Sequence, residues 1–201
     1  MPVLLRPATP GDAADISRLV LLSAERFLPA VFGPRIEGGL ARLGAQEGTL
    51  FSWAHTMIAE AEGRTAGMLL GYSEREIARE DPATGLGLLH VLGGDMVRRF
   101  GRLLRVRRMI RDIAADEWYV SNIAVLPAVR GRGVGRTLMR DAEKRARASG
   151  AAAIVLDVET DHPAAISFYT GLGFQTVSAT PSFSLGGHPF AFLRMRKPLS
   201  A

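Results

Sequence analysis

The chain has 201 residues, of which 47% are hydrophobic, so it is long and apolar enough for one sizeable core. It has no cysteine, which excludes disulfides, thiolate metal sites and a cysteine nucleophile, and its four histidines lack metal-ligand spacing. The net charge of the chain is +5. Residues 95–112, with seven arginines and two aspartates, have the same net charge by themselves. We expect a single domain over residues 1–201 that binds no metal.

The first predicted element is a short strand, Val3–Arg6, followed by a turn in which Asp12 is expected to cap a helix running to about Phe27. Ile16, Leu19 and Val20 would share one face of that helix. Because the N-terminal segment is too short for a secretory signal and no apolar run has membrane length, we expect a cytoplasmic protein without a membrane partner.

A second short helix is predicted near residues 35–43, and Thr56–Ala61 and Ala66–Tyr72 are predicted to form a β-hairpin. Residues 74–115 interrupt this regular pattern with a charged start, a glycine-rich middle and an arginine-rich end. We interpret 74–115 as an insertion between strands three and four that contains one arginine-rich amphipathic helix, because apolar residues recur there at roughly helical spacing.

Alternating strand and helix patterns return in the second half of the chain. Trp118–Val125 is predicted to be strand four and is ended by a proline, and a helix is predicted over about residues 133–149. An almost entirely apolar strand and a short helix should follow, and then two closing antiparallel strands; these four elements are predicted at Ala153–Val158, Ala164–Thr170, Phe183–Leu185 and Phe190–Arg196.

The turn Arg130–Gly135, with the sequence Arg-Gly-Arg-Gly-Val-Gly, joins strand four to the next helix. A glycine-rich turn at a helix N-terminus exposes backbone N–H groups at the positive end of the helix dipole, which suits a pyrophosphate. The turn lacks the Gly-Lys-Ser/Thr of a Walker A loop, and its glycine spacing and late position differ from a dinucleotide fingerprint. The expected ligand therefore carries phosphates but belongs to neither class.

Two motifs in the expected order indicate a known family. Arg-x-x-Gly-x-Gly at residues 130–135 follows Asn122–Pro127, and His162–Phe174 contains Phe-Tyr-Thr-Gly-Leu-Gly-Phe. Together they resemble motifs A and B of the GNAT superfamily of acetyl-CoA-dependent N-acyltransferases. The resemblance is strongest over residues 119–174. It implies an α/β fold with a mixed, mostly antiparallel twisted sheet of six to seven strands flanked by helices.

The resemblance also implies where acetyl-CoA binds. It would lie between strands four and five, with its pantetheine arm against the backbone of strand four and its pyrophosphate in the glycine turn. The implied cofactor contacts are Ile123, Ala124, Val125, Arg130, Gly131, Arg132, Gly133, Val134, Gly135, Arg136, His162, Ala165 and Phe168. For Arg130 and Arg132, solvent-exposed turn positions are an equally good interpretation, as is a helix cap or surface role for His162.

The implied reaction is direct attack of a neutral amine on the thioester in a ternary complex. On the resemblance, Tyr169 is the acid that stabilises the leaving thiolate. The base is less defined, because Tyr119 stands where some relatives have a glutamate. Glu117, two residues earlier on the same strand, is the first candidate to accept the amine's proton through water, and Asp157 and Glu159 are weaker ones.

Several alternatives stay open at this stage. The acceptor is a primary amine of an unidentified small molecule or peptide, and a homodimer is compatible with the sequence. The rival function is a non-catalytic acyl-CoA-binding or regulatory module that uses the arginine-rich surface for a partner. That surface could also be a solvated helix face, a wall that attracts an acidic substrate, or a lipid or nucleic-acid surface, although Phe100 is its only aromatic residue.

Overall fold

In the computed structural model of the chain, residues 2–94, 101 and 113–199 are described. The first half forms β1 Val3–Pro7, α1 Ala13–Ser23, α2 Phe27–Phe32, α3 Ile36–Gly44, β2 Thr56–Ala61, β3 Arg64–Ser73 and α4 Glu74–Leu92. The second half forms β4 Glu117–Val125, α5 Val134–Ala148, β5 Ala153–Glu159, α6 Pro163–Thr170, β6 Gln175–Ala179, β7 Phe183–Leu185, β8 His188–Phe190 and β9 Phe192–Pro198.

Seven of these strands form one sheet in the order β1-β2-β3-β4-β5-β9-β6. Every neighbouring pair is antiparallel except β4 and β5, which run parallel and are joined by the crossover helix α5. The predicted fold class, a mixed and mostly antiparallel sheet flanked by helices, is confirmed.

The sheet has a hydrophobic core on each face. One core packs α1, α2, α3 and α4 against the sheet through side chains such as Leu19, Leu40 and Leu88. The other packs α5 and α6 against the opposite face through Leu138, Met139 and Phe174. The periodicity of α5 explains its position, because Val134, Leu138, Met139, Ala142 and Ala146 are its buried residues and follow one helical face.

The structure differs from the sequence prediction within residues 74–94. A regular 19-residue helix, α4, starts directly after β3, where we predicted an irregular segment. A capping box at its start, in which Ser73 and Glu76 bond each other's backbone N–H groups, outweighs the internal Pro82 and two glycines. The predicted arginine-rich helix in 95–112 lies outside the described residues, apart from Gly101.

Three smaller predictions hold only in part. The first helix ends at Ser23 rather than near Phe27, and α2 follows as a separate helix. Asp12 is the N-cap residue of α1, but its side chain makes no cap bond; its carboxylate accepts the Thr9 N–H at 2.7 Å and binds Arg6. Phe183–Leu185 is an antiparallel strand, but it pairs with β8 in a separate ribbon. The sheet edge is formed instead by β6, which was not predicted because its five residues are all exposed.

Candidate active site

The site begins where the two parallel strands of the sheet separate. β4 and β5 are paired only from Glu117 and Ala153 to Val120 and Leu156, yet both strands continue beyond that point. The separation opens a cavity of about 1040 Å³ between them, lined by the second half of β4, the end of β5, the glycine turn and α6. This volume lies near the upper end of the range of about 300–1,000 Å³ for ligand pockets.

β4 contains a β-bulge at the point where it separates from β5. The pairing with β3 shifts between Leu70↔Asn122 and Gly71↔Val120, so Ser121 is the extra residue. Beyond the bulge the Leu126 N–H bonds to the Ala66 carbonyl. By the alternation of antiparallel pairs, Ala124 also bonds towards β3, whereas the backbone groups of Ile123 and Val125 point into the gap on the β5 side.

The glycine turn is folded as a phosphate site requires. Gly131 and Gly133 have φ values of 76° and 84°, a left-handed conformation that favours glycine, and Gly133 is the N-cap of α5. The first intrahelical acceptor, the Gly133 carbonyl, is used by the Thr137 N–H at 3.0 Å. The N–H groups of Val134, Gly135 and Arg136, which precede Thr137 in α5, therefore have no intrahelical acceptor. No acidic side chain occupies the first turn of α5.

Gly135 has a different role in the structure from the other two glycines. It is helical, and a Cβ at this position would lie 3.2 Å from the Phe168 ring and 3.7 Å from a Val125 methyl. Its missing side chain therefore lets α6 pack closely on the first turn of α5. This contact brings the two sequence motifs together at one end of the cavity.

Most of the predicted cofactor residues line this cavity. The lining includes Ile123, Ala124, Val125, Arg130, Gly131, Gly133, Val134, Gly135, Arg136, His162, Ala165 and Phe168. Arg132 is not among the lining residues. The Arg130 side chain turns back towards β4, where its Nε donates to the Val125 carbonyl at 3.1 Å. His162 is the N-cap residue of α6 and lines the cavity, but its side chain makes no cap bond to that helix.

Of the two predicted catalytic residues, only Tyr169 lines the cavity. It is 8% exposed on the last turn of α6, and its ring contacts Phe168 and Phe174 at centroid distances of 5.3 and 5.9 Å. Burial raises the pKa of its phenol well above the ordinary value, so the hydroxyl stays protonated across the pH range of enzyme assays. Such a group is a hydrogen-bond donor.

The structure does not support Glu117 as the base. Glu117 lies at the start of β4, where that strand is still paired with β5, and it is absent from the cavity lining. Its carboxylate accepts a bond from Arg196 Nε at 2.8 Å and another from the Ala114 N–H at 3.1 Å. Glu117 and Tyr119 lie on the same strand, but the part of β4 that lines the cavity begins only at Tyr119.

Asp157 is one of two carboxylates on β5 that line the cavity, in addition to Asp81 on α4. It accepts bonds from Arg194 at 2.7 and 2.9 Å and from the Tyr119 hydroxyl at 3.1 Å. Burial raises the pKa of Asp157, and the Arg194 guanidinium offsets part of that rise. Both carboxylate oxygens are thus already engaged, so the cluster fixes the orientation of Tyr119.

Glu159, two residues further on the same face of β5, is the second β5 carboxylate that lines the cavity. Burial is the main cause that raises its pKa, and the nearby Asp161 carboxylate adds to the rise, whereas Arg26 and His162 oppose it. Arg26 forms an ion pair with Asp161 and so connects the α1–α2 loop to the β5–α6 loop. A partly buried carboxylate with a raised pKa is suited to accept a proton.

The far wall of the cavity was not predicted from the sequence. This wall consists of side chains from α1, α2, the loop before β2 and α4, among them Leu22, Leu28, Phe32, Phe51, Thr84 and Leu88. The helical spacing of Ile77, Thr84 and Leu88 was a usable signal. It went unused because 74–94 was interpreted as irregular insertion.

Within 2–94 and 113–199 no cluster of His, Cys, Asp or Glu side chains has the arrangement of a metal site. Over the same residues, no helix combines the length and apolar character needed to cross a bilayer.

The sheet order and the separation of β4 from β5 next to the glycine turn are features of a GNAT-type fold. The sequence matches the Acetyltransferase (GNAT) family over residues 37–174, well over half of the chain, and the protein belongs to that family.

The chain is also similar to individual proteins over part of its length. The N-alpha-acetyltransferase RimI of Mycobacterium tuberculosis is 43% identical over 61 residues, which are 30% of this chain and 37% of that protein. An uncharacterized protein of Mycobacterium leprae is 40% identical over 81 residues, 40% of this chain and 22% of its own length. The chain thus matches well under half of the length of either relative. A crystal structure of an acetyltransferase superposes with a TM-score of 0.67 at 27% identity, covering 98% of this chain and 100% of that one.

Proposed function

We propose that the protein is an acetyl-CoA-dependent N-acetyltransferase that transfers the acetyl group directly to a primary amine in a ternary complex. The observation that carries the proposal is the gap between β4 and β5, which ends at the N-terminus of α5. Strand backbone on one side and helix N–H groups at the end match a ligand with an amide-bearing arm and a pyrophosphate.

Acetyl-CoA would bind largely through the main chain. The backbone groups of Ile123 and Val125 that face the gap would bond the pantetheine amides, with the Val125 carbonyl released from Arg130 as the ligand enters. The N–H groups after Gly133 would bind the pyrophosphate, and Arg130 and Arg136 would add positive charge at the same end.

The thioester would then lie near Tyr169, on the α6 side of the gap. When the amine attacks the carbonyl carbon, the C–S bond breaks and the coenzyme leaves as a thiolate, while the new C–N bond forms. A free thiol has a pKa of about 8.5, below that of the buried phenol, so Tyr169 stabilises the thiolate chiefly by donating a hydrogen bond.

The amine must reach the thioester in its neutral form. Alkyl amines are mostly protonated at neutral pH, so the site needs a proton acceptor on the amine's side. Glu159 fits this role better than Glu117, because it lines the cavity and its raised pKa brings it closer to the working pH. Asp157 would hold Tyr119 in place beside it.

The test of this function is amine-dependent release of coenzyme A thiol from acetyl-CoA, with acetylated amine identified by mass spectrometry. Stoichiometric thiol release and acetyl-amine formation would support it. Tight binding of acetyl-CoA without acetylation of any member of a broad amine panel would instead favour the non-catalytic module. No observation on the described residues specifically favours that module, since the arginine-rich segment lies almost entirely outside them.

A further inference from the structure

The cavity is not confined to the gap between β4 and β5. From the gap it continues under α1, α2 and α4 into a region that we call the apolar chamber, defined by Leu28, Phe32, Phe51, Thr84, Leu88 and Leu89. Three of these residues belong to α4, and none of the six belongs to the two sequence motifs at residues 122–135 and 162–174. The chamber is therefore lined by parts of the chain that those motifs do not describe.

The polar side chains around the chamber are already hydrogen-bonded within the protein. The Thr84 hydroxyl donates to the Glu80 carbonyl and accepts the Leu50 N–H, both at 2.8 Å. The Ser23 hydroxyl donates to the Val20 carbonyl at 2.7 Å and accepts from Asn122 Nδ2 at 2.7 Å. A polar ligand group placed here would lose its bonds to water without replacement, so the chamber favours an apolar one.

Aromatic side chains pack against one another in and beside the walls of the apolar chamber. Phe32 and Phe51 meet edge to face, with centroids 6.5 Å apart and an interplanar angle of 82°. Beside them Phe27 packs edge to face on Phe190 at 5.4 Å and on Phe192 at 4.9 Å, which attaches the β7–β8 ribbon and β9 to α2. These pairs make a preformed apolar surface of the kind that accepts a flat ring or a branched alkyl group.

Charge varies along the cavity in a way that orients an amine. Arg130 and Arg136 lie at the glycine-turn end, whereas Asp157 and Glu159 lie on β5 beyond the point where it separates from β4. Asp81 lines the cavity on α4 and already has an interaction partner. An ammonium group would thus be attracted to the β5 carboxylates, next to the thioester position, with its apolar substituent in the chamber.

We propose that the acceptor is a primary amine carried on an apolar, ring-sized group that fills the apolar chamber while the nitrogen lies beside Glu159. This inference rests on the proposed function for the transfer step, but the chamber's binding preference can be measured without it. The chemistry is shared by a free arylalkyl amine and by a peptide with an N-terminal phenylalanine.

The experiment compares four probes: 2-phenylethylamine, ethanolamine, and short peptide amides beginning with Phe or with Ala. Binding to the coenzyme A complex is measured by calorimetry, and kcat/KM by thiol release. We expect the aromatic member of at least one pair to bind and react on the order of 100-fold better than its partner. The pair that shows the difference identifies the source of the amine. Equal or better performance of ethanolamine and the Ala peptide would overturn the proposal.

Two variants on α4 provide a matched comparison. Leu89 is 49% exposed and lines the chamber, whereas Leu86 is 66% exposed and does not. Leu89→Asp should weaken binding of the aromatic probe about tenfold with unchanged acetyl-CoA affinity, and Leu86→Asp should leave both unchanged. Equal effects of the two substitutions would contradict the chamber. Selective binding without any acetyl transfer would uphold the chamber but refute the transferase function.

Discussion

At the scale of single residues, the point where β4 and β5 separate decides which side chains can reach the cavity. Tyr169 was identified by a motif whose spacing fixes it on a short helix, and the structure places it in the cavity. Glu117 was chosen by counting two residues along a strand from Tyr119. Strand periodicity does not show where β4 separates from β5, because that separation is a property of the tertiary structure.

Replacing Tyr169 by Phe removes the hydroxyl but keeps the ring that packs between Phe168 and Phe174. We expect kcat to fall about 100-fold because the leaving thiolate loses its hydrogen-bond donor. The dissociation constant of acetyl-CoA, measured by calorimetry, should change less than about twofold, since the hydroxyl is needed only as charge develops. A variant with wild-type kcat would exclude Tyr169 from the chemistry.

Glu159 should control the acidic limb of the pH profile. It accepts a proton only when ionised, and burial raises its pKa above the ordinary value, so activity should fall as the pH drops through that raised pKa. After division by the neutral fraction of the amine, kcat/KM of the wild type should show this limb. Glu159→Gln should abolish it and lower kcat/KM about 100-fold.

Asp161→Asn is the matched control for that profile. Asp161 raises the pKa of Glu159 by its negative charge, so its removal should shift the acidic limb to lower pH without abolishing it. If Glu159→Gln keeps the limb, or if Asp161→Asn moves it to higher pH, Glu159 is not the group that titrates.

At the scale of elements, the strand–turn–helix unit from β4 to α5 was the most predictable part of the protein. Strand composition, a proline stop, glycines and an amphipathic repeat all indicated the same arrangement, and local signals of this kind agree with the global fold. Helix α4 was missed for the opposite reason. Its proline and glycines disfavour a helix locally, and its capping box together with packing of Thr84 and Leu88 overrides them.

Gly133→Ala tests the glycine turn, and Gly150→Ala is its control. Both glycines have left-handed φ values, 84° and 81°, and a Cβ would meet no atom within 4 Å at either position. Each substitution should therefore cost a similar backbone strain, about 1 kcal/mol of unfolding free energy. Only Gly133→Ala should also weaken acetyl-CoA binding, by about tenfold, because its methyl group would occupy open space in the turn where we propose that the pyrophosphate binds.

Thermal unfolding of the two variants and calorimetric titration with acetyl-CoA separate these effects. An equal loss of affinity in both would show that the turn acts through stability alone, since Gly150 lies at the far end of α5 from the cavity.

At the scale of the whole molecule, the sequence predicted the sheet class and the glycine-turn end of the cavity but not its far wall. The glycine-turn end consists of neighbouring elements with recognisable motifs. The far wall combines α1, α2, α4 and Phe51, which are distant in sequence and meet only through long-range packing. Ion pairs such as Asp157 with Arg194, 37 residues apart, are equally invisible to a local pattern.

We propose that acetyl-CoA occupies the gap between β4 and β5. Residue-resolved amide hydrogen exchange, followed by NMR with and without saturating acetyl-CoA, tests this occupancy. We expect the Ile123 and Val125 amides, which face the gap, to become strongly protected, while the Ala124 amide, already bonded towards β3, should change little. Saturating binding without added protection at Ile123 and Val125 would contradict it.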